Sequence, residues 1–111
     1  MRILVIDDDT DLAESLAEYL ELDGHEVSTA GSAREGLAMV REQPFEGVLI
    51  DVGLPDRSGA EAKASILELT PDARVILISG HSASHLDDDA RDEVITKPVD
   101  LNMLTARLLD D

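Results

Sequence analysis

The 111 residues suffice for one domain that buries roughly two thirds of its unfolded surface around a single core, so 1–111 is expected to fold as one unit. Against 9 Lys and Arg stand 25 Asp and Glu, a formal charge of -16 that opposes contact with nucleic-acid phosphates or anionic membranes over most of the surface. A hydrophobic share of 43% belongs to a globular domain rather than an acidic tail, and the lack of cysteine removes disulfides, thiolate metal sites and thiol nucleophiles. No apolar run approaches the ~20 residues of a membrane span, and no basic-then-apolar leader pattern opens the chain, so the expected location is the cytoplasm.

Ile3, Leu4, Val5 and Ile6 form a continuous apolar run that stops at Asp7, Asp8 and Asp9, as expected of a parallel strand buried on both faces. Leu12, Leu16 and Leu20 then recur every four residues beside Ala13 and Ala17, while Glu14, Glu18 and Glu21 fill the remaining arc. This is an amphipathic helix that Gly24 is placed to end. His25 to Ala30 supplies a second strand, with Val27 as its core candidate. Ser32 with Glu35, and later Ser58 with Glu61, match the capping box in which each side chain satisfies the other's backbone donor, so helices begin at both points. Val48 to Ile50, Val75 to Ile78 and the weaker Val94-Ile95 are further strands. A last helix follows Pro98, with Asp100 as cap and Leu101, Leu104 and Leu108 on one stripe. Tyr19 and Phe45 are expected at the surface edge of the core.

Five alternations of strand and helix select an α/β fold, a doubly wound, mostly parallel sheet with helices on both faces and right-handed crossovers. The stretch from His85 to Glu93 is acidic and poor in apolar residues, so the fourth helix should be short or irregular and its segment mobile. In such sheets the functional crevice lies at the carboxyl ends of the strands. Strand one ends at Asp7, Asp8 and Asp9, strand three at Asp51, strand four at Ser79 and strand five at Lys97-Pro98. Clustered carboxylates repel unless a cation sits among them, and an all-oxygen site with few protein donors suits magnesium. A carboxylate can also serve as a nucleophile and form an aspartyl phosphate, while a metal, a Lys and a hydroxyl neutralise phosphoryl oxygens. Asp9, Thr10 and Asp11 are read as helix caps rather than ligands.

Asp7-Asp8 after an apolar strand, Asp51 followed by Leu54-Pro55 and Gly59, Ser79-Gly80, and Lys97-Pro98 fall in one order along the whole chain. In that ordered set the sequence resembles the receiver domain of two-component response regulators. The resemblance implies a flavodoxin-like sheet of five parallel strands in order 2-1-3-4-5, and a phospho-acceptor rather than an enzyme, one that assists its own phosphorylation and dephosphorylation. It implies that Asp51 accepts a phosphoryl group from a histidine kinase or histidine phosphotransfer protein. Asp7, Asp8 and Asp51, with the backbone carbonyl of Gly53, would hold Mg2+, Lys97 would pair with a phosphoryl oxygen, and Ser79 would stand for the switch hydroxyl. Signalling would proceed by protein binding or by passing the phosphate onward. The resemblance also implies a cis Lys97-Pro98 bond. Val94 stands where many receivers carry an aromatic switch residue, so a ring flip is not expected, and ordering of residues 80–92 is expected in its place. Met1 directly before the first strand favours a native start, and with no output domain after Asp111 a free-standing or excised receiver is expected.

Two rivals compete for the acidic cluster. Asp7, Asp9, Asp11 and Glu18 match positions one, three, five and twelve of a calcium loop, but Leu12 occupies the place of its glycine and a strand precedes it. The alternative function is a small magnesium-dependent phosphatase of haloacid dehalogenase type, whose motif wants Thr or Val where this chain has Asp11. His81 and His85, four apart beside an acidic run, lack a fixed third metal ligand and are read as solvated.

Overall fold

The computed structural model describes residues 1–79, 94–96 and 101–109. The expectations for Gly80, His81, His85, Lys97, the Lys97-Pro98 bond, the Asp100 cap and the helix between the last two strands lie outside the described residues. The elements in chain order are β1 (Arg2–Ile6), α1 (Thr10–Leu22), β2 (Glu26–Ala30), α2 (Ala33–Glu42), β3 (Gly47–Asp51), α3 (Gly59–Leu69), β4 (Arg74–Ser79), β5 (Val94–Thr96) and the C-terminal helix α4 (Leu101–Leu109). All strand pairs are parallel and the sheet order is β2-β1-β3-β4-β5, the flavodoxin-like arrangement that the family resemblance implies.

The continuous apolar runs are explained by burial on both sheet faces. Successive side chains of a strand point to opposite faces, so each run feeds two cores. Leu4, Ile6, Val48, Ile50, Val75 and Leu77 face α2 and α3, where Leu37, Val40, Ala62 and Ile66 meet them. Ile3, Val5, Leu49, Ile76 and Ile78 face α1 and α4 and pack on Leu16, Leu20, Leu104 and Leu108. Each fully buried Leu or Ile contributes roughly 1.5–3 kcal/mol of transfer free energy. Val27, the expected core residue of the edge strand β2, is only half-buried against α1; the buried residue of that strand is Ala30, 3% exposed, which packs in the α2–α3 core.

Helix starts follow the local signals. Asp9 caps α1 by accepting from Leu12 N at 3.1 Å, Ser32 caps α2 through Glu35 N at 3.1 Å, and Ser58 caps α3 through Glu61 N at 3.2 Å. The reciprocal arm of the α2 box reaches one residue further back than the motif predicts, from Gly31 N to Glu35 Oε2 at 3.3 Å. Gly24 ends α1 with φ 92, a left-handed conformation open to glycine. Phe45 corrects the sequence expectation. It is 3% exposed and belongs to the α2–α3 core, because the segment leading into β3 joins the same buried cluster as Val48 and Val75. Tyr19, in contrast, is half-buried at the core's margin, as expected.

Candidate functional site

The carboxyl ends of β1, β3 and β4 form one edge. Asp51 closes β3 and is in register with Ile78 of β4, so Ser79 stands one residue further on at the same edge. Ser79 pairs in turn with Thr96, the last residue of β5. Asp7 follows β1 directly and prolongs its ladder, donating Asp7 N to Ala30 O at 3.0 Å. The parallel topology thereby brings together residues 44 positions apart in sequence.

Asp7, Asp8 and Asp51 each offer a carboxylate oxygen to a cluster whose atoms lie within 4.8 Å of one another. Asp7 is 1% exposed and Asp51 8%, whereas Asp8 is open to solvent. Two buried acids and one exposed acid make a cup with a solvent mouth. Asp9 N donates to Asp7 Oδ1 at 2.9 Å, so the residue that caps α1 also fixes the Asp7 carboxylate. Asp9 thus has the capping role read from the sequence, and its backbone serves the site. Gly53 N donates to Asp51 Oδ1 at 3.4 Å, a weak turn contact that places the Gly53 backbone beside the cluster.

The loop from Val52 to Ser58 is held at several points. Val52 N donates to Ile78 O at 2.9 Å, Gly59 N to Val52 O at 3.2 Å, and Leu54 is buried in the α2–α3 core. Gly59 is required by close approach, since a Cβ there would lie 2.7 Å from Val52 Cα and 3.2 Å from Asp51 O. The start of α3 therefore rests directly on the backbone that carries Asp51. Sequence reasoning missed Asp56. Its carboxylate accepts from Ala33 N at 3.1 Å and Arg34 N at 3.0 Å, and these two backbone donors hold its pKa below the ordinary aspartate range, with Arg57 adding in the same direction.

Three oxygen donors of this kind fit a hard divalent cation, and the geometry contradicts the calcium-loop rival, whose ligands would come from one continuous loop rather than from two strand ends. No helix among the described residues is long and apolar enough to cross a membrane. Comparison with known proteins agrees with the geometry. The chain is 37% identical over 102 residues to the response regulator receiver protein Anae109_2439 of Anaeromyxobacter, aligning 88% of this chain with 43% of that protein. It is 32% identical to the response regulator receiver protein CpdR of Brucella abortus, covering 93% of this chain and 89% of CpdR. The solved structure of response regulator TrrA from Thermotoga maritima, in complex with Mg2+ and BeF, matches with a TM-score of 0.85 at 32% identity, covering 96% of this chain and 95% of that one. The chain thus spans under half of one such relative and most of another. Nothing in these likenesses supports the haloacid dehalogenase reading. The family model for the response regulator receiver domain matches residues 3–109, and with the acidic edge and the sheet order already in place, the chain belongs to the receiver domains of two-component response regulators.

Proposed function

We propose that this receiver takes a phosphoryl group onto Asp51 from the phosphohistidine of a histidine kinase or histidine phosphotransfer protein. Asp7, Asp8, Asp51 and the backbone carbonyl of Gly53 hold Mg2+, and Lys97 and Ser79 meet the phosphoryl oxygens. The observation that carries this reading is the convergence of three carboxylates within 4.8 Å at the ends of two neighbouring strands, in a chain of this family. An oxygen-only site with few protein ligands suits magnesium, which keeps several of its waters. When bound, the ion neutralises charge on the transferring group.

The chain's own residues do the remaining work. An Asp51 carboxylate oxygen attacks phosphorus, the O–P bond forms as the P–N bond to the donor histidine breaks, and the imidazole keeps the electron pair and takes up a proton. Asp51 is 8% exposed, so in-line approach is confined to the small part of it that meets solvent. The hydrogen bond from Asp9 N restrains Asp7, so the site's geometry is set before the donor arrives. The product is an acyl phosphate, and the response is protein binding or onward transfer of the phosphate. The whole span 1–111 acts as one domain, a phospho-acceptor that assists its own phosphorylation and dephosphorylation in the cytoplasm. Its charge of -16 opposes nucleic-acid contact by this chain alone.

Transfer from a phosphorylated histidine donor tests the reading: labelling with Mg2+, none in EDTA, and strong loss in Asp8→Ala are expected. Multiple turnover of a generic phosphate monoester would overturn it in favour of a phosphatase.

A further inference from the structure

Asp56 lies five residues beyond Asp51 and three beyond Gly53, yet both of its carboxylate oxygens are spent on another element. Ala33 N donates to Oδ1 at 3.1 Å and Arg34 N to Oδ2 at 3.0 Å. A helix start leaves four N–H groups without an intrahelical acceptor. In α2 the local cap Ser32 takes one of them, Glu35 N, and Asp56 takes two more from 22 and 23 residues away. Hydrogen bonds from backbone N–H groups to a carboxylate are charge-assisted, and the helix dipole favours the anion there.

The consequence lies in what the two ends of this clamp are attached to. At one end α2 is seated on β1 at close range: Gly36 faces Ile6, and a Cβ at position 36 would overlap the Ile6 side chain, with Cγ1 at 2.8 Å. Ile6 immediately precedes Asp7. At the other end is the loop that carries Gly53. Among the described residues the loop is also tied outward by Arg57 Nη1 to Ser65 Oγ at 3.4 Å, a long and exposed contact. The clamp therefore refers the Gly53 backbone to the same strand, β1, whose end leads into Asp7 and Asp8.

We propose that Asp56 is a positioning residue for the metal and phosphoryl site, holding the Gly53 loop at a fixed distance from the end of β1 by its two-pronged contact with the first turn of α2. This inference rests on the function proposed above. Coupling of this kind is reciprocal, so metal in the acidic cup also tightens the clamp.

The test is a Mg2+ titration of the 15N-labelled full chain, read at the Asp8 and Gly53 amides, for wild type, Asp56→Ala and Asp56→Asn. It is run at a temperature where melting curves show all three folded. Asp56→Ala is expected to weaken Mg2+ binding by roughly tenfold, the low end of the range for residues that support metal ligands. Asp56→Asn, which keeps one acceptor oxygen, falls between the two. In wild type, Mg2+ should add exchange protection at the Ala33 and Arg34 amides, and in Asp56→Ala it should not. A wild-type Mg2+ affinity in folded Asp56→Ala, whatever its melting temperature, would reduce Asp56 to a helix cap and overturn the inference alone. Absence of saturable Mg2+ shifts in the wild type would overturn the proposed site itself, and the inference with it.

Discussion

Asp8→Asn removes one negative charge from the acidic cup at its solvent-exposed mouth. Two unit charges 4.8 Å apart repel by about 0.9 kcal/mol at the dielectric of water and by about twice that at half the dielectric. Asp8 faces two such partners, Asp7 and Asp51, and salt near 0.1 M screens away about a third of the total at this separation. In metal-free buffer the substitution should therefore stabilise the fold by about 1–2 kcal/mol, which for a chain of this size raises the melting temperature by about 4–8 °C. Magnesium should have the opposite dependence on the residue. At a hundred times its dissociation constant it stabilises the wild type by about 2.7 kcal/mol, and most of that gain should vanish in Asp8→Asn because a ligand is gone. Thermal melts followed by far-UV circular dichroism, with EDTA and with Mg2+, measure both quantities. A variant less stable than wild type in EDTA, or one that keeps the full Mg2+ gain, would refute the reasoning that these carboxylates form one strained anionic cup.

Other expectations follow from the same geometry. Gly36→Ala drives a methyl into the Ile6 side chain, so chemical denaturation should show a loss of about 1–3 kcal/mol, the usual cost of overpacking. Gly53 is exposed and, among the described residues, a Cβ there meets only Asp51 Oδ2 at 4.0 Å, so Gly53→Leu should fold normally, shield the acyl phosphate from water and lengthen its half-life in a dephosphorylation time course. An unchanged half-life would show that water does not enter past position 53. Because the Asp56 pKa is lowered by its backbone donors, its contribution to stability is complete above the unfolded value near 3.9 and lost as pH falls through the folded value. Acid titration of Asp56→Asn should accordingly lack part of the stability change that the wild type shows below about pH 4.

The sheet was legible because parallel strands buried on both faces leave unbroken apolar runs, and Ile3 to Ile6 and Val75 to Ile78 are buried throughout. Helix starts were legible because caps act over three residues, as Ser32 to Glu35 and Ser58 to Glu61 do. The acidic cup was legible through topology, since the strand ends must share an edge once the sheet is parallel. Phe45 was not legible: it stands between Pro44 and Glu46 with no periodic neighbours, and only the tertiary path of the chain into β3 buries it. Asp56 was missed for a related reason. It caps a helix 22 and 23 residues upstream, and no local spacing records a bond made across the fold.

The most direct test of the central claim is intact-mass analysis after incubation with Mg2+ and a small phosphodonor, comparing wild type with Asp51→Asn. The wild type should gain one acid-stable, base-labile phosphoryl group and the variant none. Equal labelling of Asp51→Asn would contradict the assignment of Asp51 as the acceptor.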